Sequence, residues 1–212
     1  MSIIEELSSS TGQRTQEANT AVAEKCVADP ALLEDVVAVL AEKNARLVGD
    51  AAEVLTKVAE QRPELVAEHA PTLLGLVAHK NGRVRWESAH AFSLVADRAV
   101  ALVGKELPRL QRILEEEPGV IVRDYVADAV VRYATTGEAA FKRALPLLRQ
   151  ATVAWESKHA ARILVGLQPL LESMPKHAAE VAGLAEGLEE HPRAGVRKAA
   201  RSLLRRAKKI VP

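Results

Sequence analysis

The chain has 212 residues and a formal net charge of +1, a length that suits one ordinary domain or a short repeat array. Hydrophobic residues make up 48% of it, but aromatic residues only 3%. A core built from alanine, valine and leucine favours close packing of helices and argues against a β-sandwich. The small net charge gives the whole chain no bulk attraction to nucleic acid or anionic lipid.

The lone cysteine, Cys26, excludes an internal disulfide and a cysteine-based structural zinc site. It lies inside a helical pattern, which is typical of a buried structural cysteine. The first residues lack the basic segment and apolar run of a signal peptide. No stretch approaches the roughly 20 apolar residues of a membrane span. We therefore expect a cytoplasmic protein with no membrane association.

In chain order, residues 1–28 are predicted to form an N-terminal cap, with a lone helix over 14–28 as a half-repeat. Five helical hairpins are expected to follow over 29–62, 63–99, 100–137, 138–173 and 174–212. Turn residues such as Asn81-Gly82 and Pro118-Gly119 separate the two helices of a hairpin. The whole chain, 1–212, is thus predicted to be one repeat domain.

Three prolines in apolar helical runs mark the period of these hairpins. Pro71, Pro108 and Pro146 are separated by 37 and 38 residues. A proline inside a helix kinks it, so we expect a bent first helix in the second, third and fourth hairpins.

Small residues in the second helices repeat with the same period. Ala52, Ala89 and Ala127 are also separated by 37 and 38 residues. Two independent markers at one spacing of this size predict an α-solenoid.

The order Leu-Pro-x-Leu, a turn, and then Val-Arg-x-x-x-Ala resembles the signature of HEAT repeats. The second and third hairpins carry it through Pro71 with Val84-Arg85 and Pro108 with Val122-Arg123. The resemblance implies an all-α, right-handed α–α superhelix of about five HEAT-like hairpins plus a half-repeat. In such armadillo-like arrays the second helices line the concave face.

The remaining hairpins depart from the pattern. The fifth keeps Val196-Arg197 without the proline, and the fourth keeps Pro146 but has Trp155-Glu156 where Val-Arg is expected. The first hairpin lacks both the proline and the arginine.

Motifs of common catalytic sites do not occur in the sequence. It has no nucleotide-binding glycine loop, no H-E-x-x-H and no G-x-S-x-G. No two of its six histidines are four residues apart, a spacing that favours metal binding on a helix. We therefore predict a non-enzyme without a metal or cofactor.

Partner binding is expected on the second helices, opposite their apolar sides. The residues predicted to bind a partner there are Trp86, His90, Asp124 and Asp128. An exposed tryptophan beside charges is typical of interface hot spots. Packing of Trp86 and Trp155 into a neighbouring hairpin is the alternative.

Charge is distributed unevenly along the chain. Residues 1–61 hold 5 basic and 11 acidic side chains, whereas residues 192–212 hold 8 basic and no acidic ones. The basic end provides candidate phosphate contacts at Arg193, Arg197, Lys198, Arg201 and Arg205. A solubilising C-terminal cap, whose cations favour the helix dipole, explains the same residues.

The interpretation that follows is a non-catalytic scaffold or adaptor that binds a protein partner along the second helices. The alternative is a nucleic-acid-binding protein similar to HEAT-like DNA alkylation-repair glycosylases, acting through the basic C-terminal helix. Those enzymes use Trp and Asp on the concave face, but here Trp86 is followed one turn later by His90. A HEAT-like bilin lyase is a third interpretation, which rests on the fold alone.

Overall fold

A computed structural model describes residues 2–12 and 16–210. These residues form helices and turns, without a strand among them, so the all-α class is confirmed. Within the described part of the chain, every helix is too short or too polar to cross a bilayer. The chain divides into two units, Met1–Leu102 and Val103–Pro212.

The first unit is a row of helices joined by short 3₁₀ turns. Its helices are α1 (Ser8–Thr11), α2 (Glu17–Ala28), α3 (Leu32–Val39), α4 (Ala45–Gln61), α5 (Ala70–Leu76) and α6 (Gly82–Val95). The 3₁₀ turns are Ile3–Glu6, Pro63–Leu65 and Ala67–His69. Helix α2 packs on α4 and α4 on α6, while α3 and α5 pack on the second helices that follow them.

The second unit repeats this arrangement. Helix α7 (Val100–Glu116) begins just before it, and the remaining helices are α8 (Val120–Ala134), α9 (Glu138–Ser157), α10 (Ala160–Gly166), α11 (Gln168–Ser173), α12 (Ala178–Ala182) and α13 (Ala194–Ala207). A 3₁₀ turn covers Pro175–His177. Helix α8 packs on α10 and α10 on α13, with α9 against α8 and α10.

The hairpin ranges and their grouping into one domain remain predictions. The helix expected over 14–28 is described from Glu17 to Ala28, and residues 14 and 15 lie outside the described residues. Residues 211 and 212 of the last predicted hairpin also lie outside them.

The three periodic prolines do not occupy equivalent positions. Pro108 and Pro146 lie inside α7 and α9. Pro71 instead lies in the first turn of α5, after two 3₁₀ turns. A helix start tolerates proline because its N–H has no partner there. The first helix of the second hairpin is therefore divided into short pieces and is not one bent helix.

Close approach between helices explains the small residues. Ala52, Ala89 and Ala127 are buried. A Cβ on Gly166 of α10 would lie 2.7 Å from Cγ1 of Val131 on α8, well inside van der Waals contact. These two helices therefore pack at a distance that requires glycine.

The arginine of the Val-Arg pattern closes the turn that precedes its helix. In three hairpins its Nη1 donates to the backbone carbonyl six residues upstream. These bonds run from Arg85 to His79, from Arg123 to Glu117 and from Arg197 to His191. A charged donor makes such a bond stronger than a neutral one, so each arginine fixes where its helix begins.

An ionic cluster with buried carboxylates joins α2, α4 and α6. Nη2 of Arg83 lies 2.8 Å from Oδ1 of Asp50 and 2.8 Å from Oε2 of Glu53. Nδ2 of Asn19 donates to the same two oxygens at 3.2 and 2.9 Å. Burial opposes ionisation of Asp50, but hydrogen bonds from Ser9, Asn19 and Arg83 outweigh it and lower its pKa. Asp50 is therefore charged and links the three helices.

Glu87 of α6 belongs to the same cluster but has a different protonation state. Only 2% of the residue is exposed. Burial, with the charge of Glu53, raises the pKa of Glu87 to about 8 although Arg83 lies 4.0 Å away. The Glu87 carboxyl is therefore mostly protonated at neutral pH.

This protonation predicts how the stability of the protein depends on pH. The pKa of Glu87 rises from 4.5 to about 8 on folding, so unfolding releases a proton between these values and stability falls as pH rises through them. Glu87→Gln keeps the shape and removes the titration. We expect urea unfolding to show the variant more stable than wild type by a few kcal/mol at pH near 9, with a much smaller difference near pH 5.

Glu42→Gln, at an exposed position, is the matched control and should leave the pH dependence unchanged. An equal difference between Glu87→Gln and wild type at both pH values would contradict the assignment.

Candidate functional site

Asp124 and Asp128 lie one turn apart on α8 and are held by the residue that precedes α10 and by a residue within α10. Oδ1 of Asp124 lies 2.7 Å from Nδ1 of His159. Nε of Arg162 donates to both carboxylate oxygens of Asp128 at 3.1 Å. The structure therefore brings these two predicted binding residues together on one surface, which we call the α8–α10 face.

Asp128 sits in a partly desolvated position on this face. Burial, the largest effect, and the nearby charge of Asp124 raise the pKa of Asp128, while Arg162 lowers it. The net result is a pKa of about 6. The guanidinium of Arg162 also lies over Tyr125, with 5.5 Å between its central carbon and the ring centroid. Asp128 is thus ionised near neutral pH and held in one orientation.

Arg123 connects the buried side of this face. Only 2% of it is exposed, and its Nε donates to Nε2 of His159 at 3.1 Å. Because guanidinium cannot accept a hydrogen bond, Nε2 of His159 is the acceptor. The ring proton of His159 therefore resides on Nδ1 and is donated to Asp124.

Trp155 is linked to this face through Arg123, and 44% of it is exposed. Its indole N–H donates to the carbonyl of Leu114 at 2.9 Å. The central guanidinium carbon of Arg123 lies 3.8 Å from the ring centroid, a distance suited to a cation–π contact. The indole is therefore held in place while much of it faces solvent.

The backbone that carries Trp155 is strained. Ala154 is extended, and Trp155, Glu156 and Ser157 follow with φ of 52°, 55° and 57°. A left-handed conformation costs a residue with a side chain roughly 1–2 kcal/mol. Strain of this kind is concentrated at functional positions, so the turn is part of the candidate site.

The sequence interpretation did not include Trp155 among the binding residues. The feature of the sequence that could have indicated Trp155 is the replacement of Val-Arg by Trp155-Glu156 in the fourth hairpin. His159, Arg162 and Tyr125 were also missed, because their roles depend on contacts between helices about 35 residues apart.

Trp86 and His90 lie on α6, in the first unit, and both are half-buried. Ser93, one turn further along, is buried and donates to the backbone carbonyl of His90 at 2.7 Å. Val131 at the equivalent position of α8 is also buried. The four predicted residues are thus divided between two units, and on both helices the position one turn beyond them is buried.

Three of the five candidate phosphate contacts bind groups of their own chain. Arg193 lies 3.3 Å from Glu156, Arg197 donates to the carbonyls of His191 and Pro192, and Arg201 lies 2.6 Å from Glu190. Lys198 and Arg205 are exposed and have no ion-pair partner among the described residues.

Two further groups bear on chemistry. In the described part of the chain, Glu34, Glu68 and His69 each place one potential metal ligand within 4.8 Å of the others. Both glutamates are exposed, and exposed acidic groups commonly lie this close with no metal ion.

Cys26 is fully buried, and burial with the charge of Asp29 raises its pKa to about 11. Its thiol is therefore protonated and is no nucleophile.

Comparison with known proteins finds similarity in structure. No family model matches the sequence, and no curated protein matches it either. An engineered protein aligns with a TM-score of 0.64 at 17% identity, over 99% of this chain and 98% of its own. A designed armadillo repeat protein in complex with the peptide (KR)4 aligns with a TM-score of 0.65 at 16% identity, over 97% and 98%.

An archaeal HEAT-like repeats protein from Thermococcus onnurineus NA1 aligns with a TM-score of 0.49 at 13% identity, over 90% of this chain and 92% of its own. At these identities structural likeness shows the fold alone. The likeness to the designed armadillo protein confirms the predicted fold class, an all-α array of helical hairpins of the HEAT/armadillo type.

Relief of the strained turn should stabilise the protein. Glu156 has φ of 55° and an almost fully exposed side chain. Glycine adopts this conformation without a steric penalty, so Glu156→Gly should raise the free energy of unfolding by about 1 kcal/mol relative to Glu156→Ala. Both variants lose the exposed contact with Arg193, which makes them a matched pair in urea unfolding. Greater stability of the alanine variant would show that the turn is not left-handed.

Proposed function

We propose that this protein is a non-catalytic scaffold that binds a protein partner through the exposed parts of its second helices. The binding residues are Trp86 and His90 on α6 and Asp124 and Asp128 on α8. The observation that carries the proposal is the α8–α10 face, where two fixed aspartates lie one turn apart and Asp124 is linked through His159 and Arg123 to a half-exposed, strained tryptophan.

The α8–α10 face is organised before any partner arrives. Asp124 and Asp128 are held by His159 and Arg162, and Trp155 is held by Leu114 and Arg123. Side chains that are already ordered lose little conformational entropy on binding. An ordered tryptophan flanked by charged groups is the usual composition of an interface hot spot.

An extended peptide is the form of partner that the fold favours. The designed armadillo repeat protein with the same fold is in complex with the peptide (KR)4. In the present chain, residues 1–102 hold 10 basic and 15 acidic side chains, and residues 103–212 hold 19 and 13. A uniformly cationic peptide would be attracted to the first unit and repelled by the second. We therefore expect a partner segment that carries charges of both signs.

Nucleic-acid binding through the basic C-terminal helix remains a prediction from the sequence. Of its five candidate residues, only Lys198 and Arg205 are exposed without an ion-pair partner among the described residues. Binding to a short DNA duplex that weakens steeply with rising salt would favour it.

Selection of peptides from a random phage-displayed library on the immobilised protein tests the scaffold function. Enriched peptides are then measured by fluorescence anisotropy against two double variants, Trp86→Ala with His90→Ala and Asp128→Ala with Trp155→Ala. Loss of hot-spot side chains should weaken binding about tenfold or more in at least one of them.

Arg112→Ala with Arg149→Ala is the matched control, because both arginines are exposed and neither belongs to the proposed surface. It should retain wild-type affinity, and circular dichroism should show that all three variants fold. Failure to enrich any peptide, or equal affinity of every variant, would argue against the scaffold.

A further inference from the structure

Among the described residues, nothing packs against one side of helix α2 in the first unit. The helix packs on α4, and the side away from the buried Val22 and Cys26 is an open hollow of about 450 Å³. Thr20 and Ala21 lie at its centre, with Glu17 and Glu24 at its two ends. The α2 face is thus an open acidic surface with small residues between its two glutamates.

Helix α13 of the second unit presents the opposite charge. Its apolar side, Val196, Ala199, Ala200, Leu203 and Ala207, is buried. Its exposed side carries Lys198, Arg201, Arg205 and Lys208, spaced three, four and three residues apart, which places them on one stripe. The helix contains no acidic residue. The α13 face is therefore a cationic ridge.

We propose that the α13 face of one molecule docks into the α2 face of a second copy of this chain. Glu17 and Glu24 are seven residues apart, and so are Lys198 and Arg205. Seven residues of helix span about 10.5 Å, so both acidic groups can meet a cation when the two helices lie side by side. The small Thr20 and Ala21 leave room for the aliphatic stems of lysine and arginine.

A second copy fits the α13 face better than nucleic acid does. Acidic groups at the required spacing are present on the protein's own surface, and both faces are exposed within one chain. The interface joins two different surfaces, so each molecule keeps a free α2 face and a free α13 face. Such a heterologous contact builds rings or linear chains.

Light scattering after gel filtration at low and high salt tests this association. The monomer mass is 22.9 kDa, and we expect multiples of it at about 20 mM salt. At about 500 mM salt, where screening is strong, we expect monomer. Glu17→Lys with Glu24→Lys and Lys198→Glu with Arg205→Glu should each be monomeric at low salt.

Recombination of these variants makes the test specific. Mixing the two double variants pairs an intact α13 face with an intact α2 face and a reversed α2 face with a reversed α13 face, so alternating oligomers of the two should form at low salt. The variant with all four reversals should self-associate again. Glu34→Lys with Asp35→Lys, at exposed positions on α3, makes the same charge change as the α2 variant and should not disrupt association.

Monomeric wild type at low salt would overturn the proposal, as would loss of association in the α3 control. The same proteins are titrated with a labelled DNA duplex. If Lys198→Glu with Arg205→Glu abolishes DNA binding and leaves self-association intact, the α13 face binds nucleic acid and the proposal is wrong.

Discussion

The same kind of hydrogen bond, from an arginine to the carbonyl six residues upstream, closes three turns. It occurs in both units, at Arg85 in the first and at Arg123 and Arg197 in the second. It closes the turn between the two helices of a hairpin and fixes where the second helix begins. Since the candidate binding residues lie on second helices, their positions depend on this bond.

The two units connect neighbouring second helices with different polar links. In the first unit, Arg83 and Asn19 join two buried carboxylates of α4. In the second unit, the imidazole of His159 lies between Arg123 and Asp124. Buried polar groups contribute little net stability even when fully paired, but a broken pair is costly. Both links would therefore be costly to break.

The repeat architecture could be predicted from the sequence because it depends on local patterns. The spacing of Ala52, Ala89 and Ala127 directly reflects the closeness of packed helices, and the Val-Arg pairs mark the second helices. Pro71 shows the limit of such patterns. A proline is compatible with both the start and the interior of a helix. Here a 3₁₀ turn immediately precedes α5, so Pro71 lies at the start of the helix.

The candidate site was predicted only in part, for a physical reason. Asp124 and Asp128 were found because they share a helix face. Arg162 contacts that face from α10 and His159 from the turn before it, while Trp155 is linked to it through an arginine. Nothing local in the sequence specifies those contacts. The left-handed turn at 155–157 contains no glycine, so no residue in it predicts this conformation from the sequence. It occurs where the fourth hairpin lacks Val-Arg, and the indole of Trp155 there stacks on the arginine of the third hairpin.

Hydrogen exchange in an Arg123→Lys variant tests this account most directly. Lysine keeps the charge but lacks the planar fork that contacts the Glu117 carbonyl, His159 and Trp155 together. We expect faster amide exchange in residues 117–123 and 154–159, with α13, whose turn is closed by Arg197, exchanging as in wild type. Unchanged exchange in both segments would contradict the claim that the arginine fixes the turn and the site.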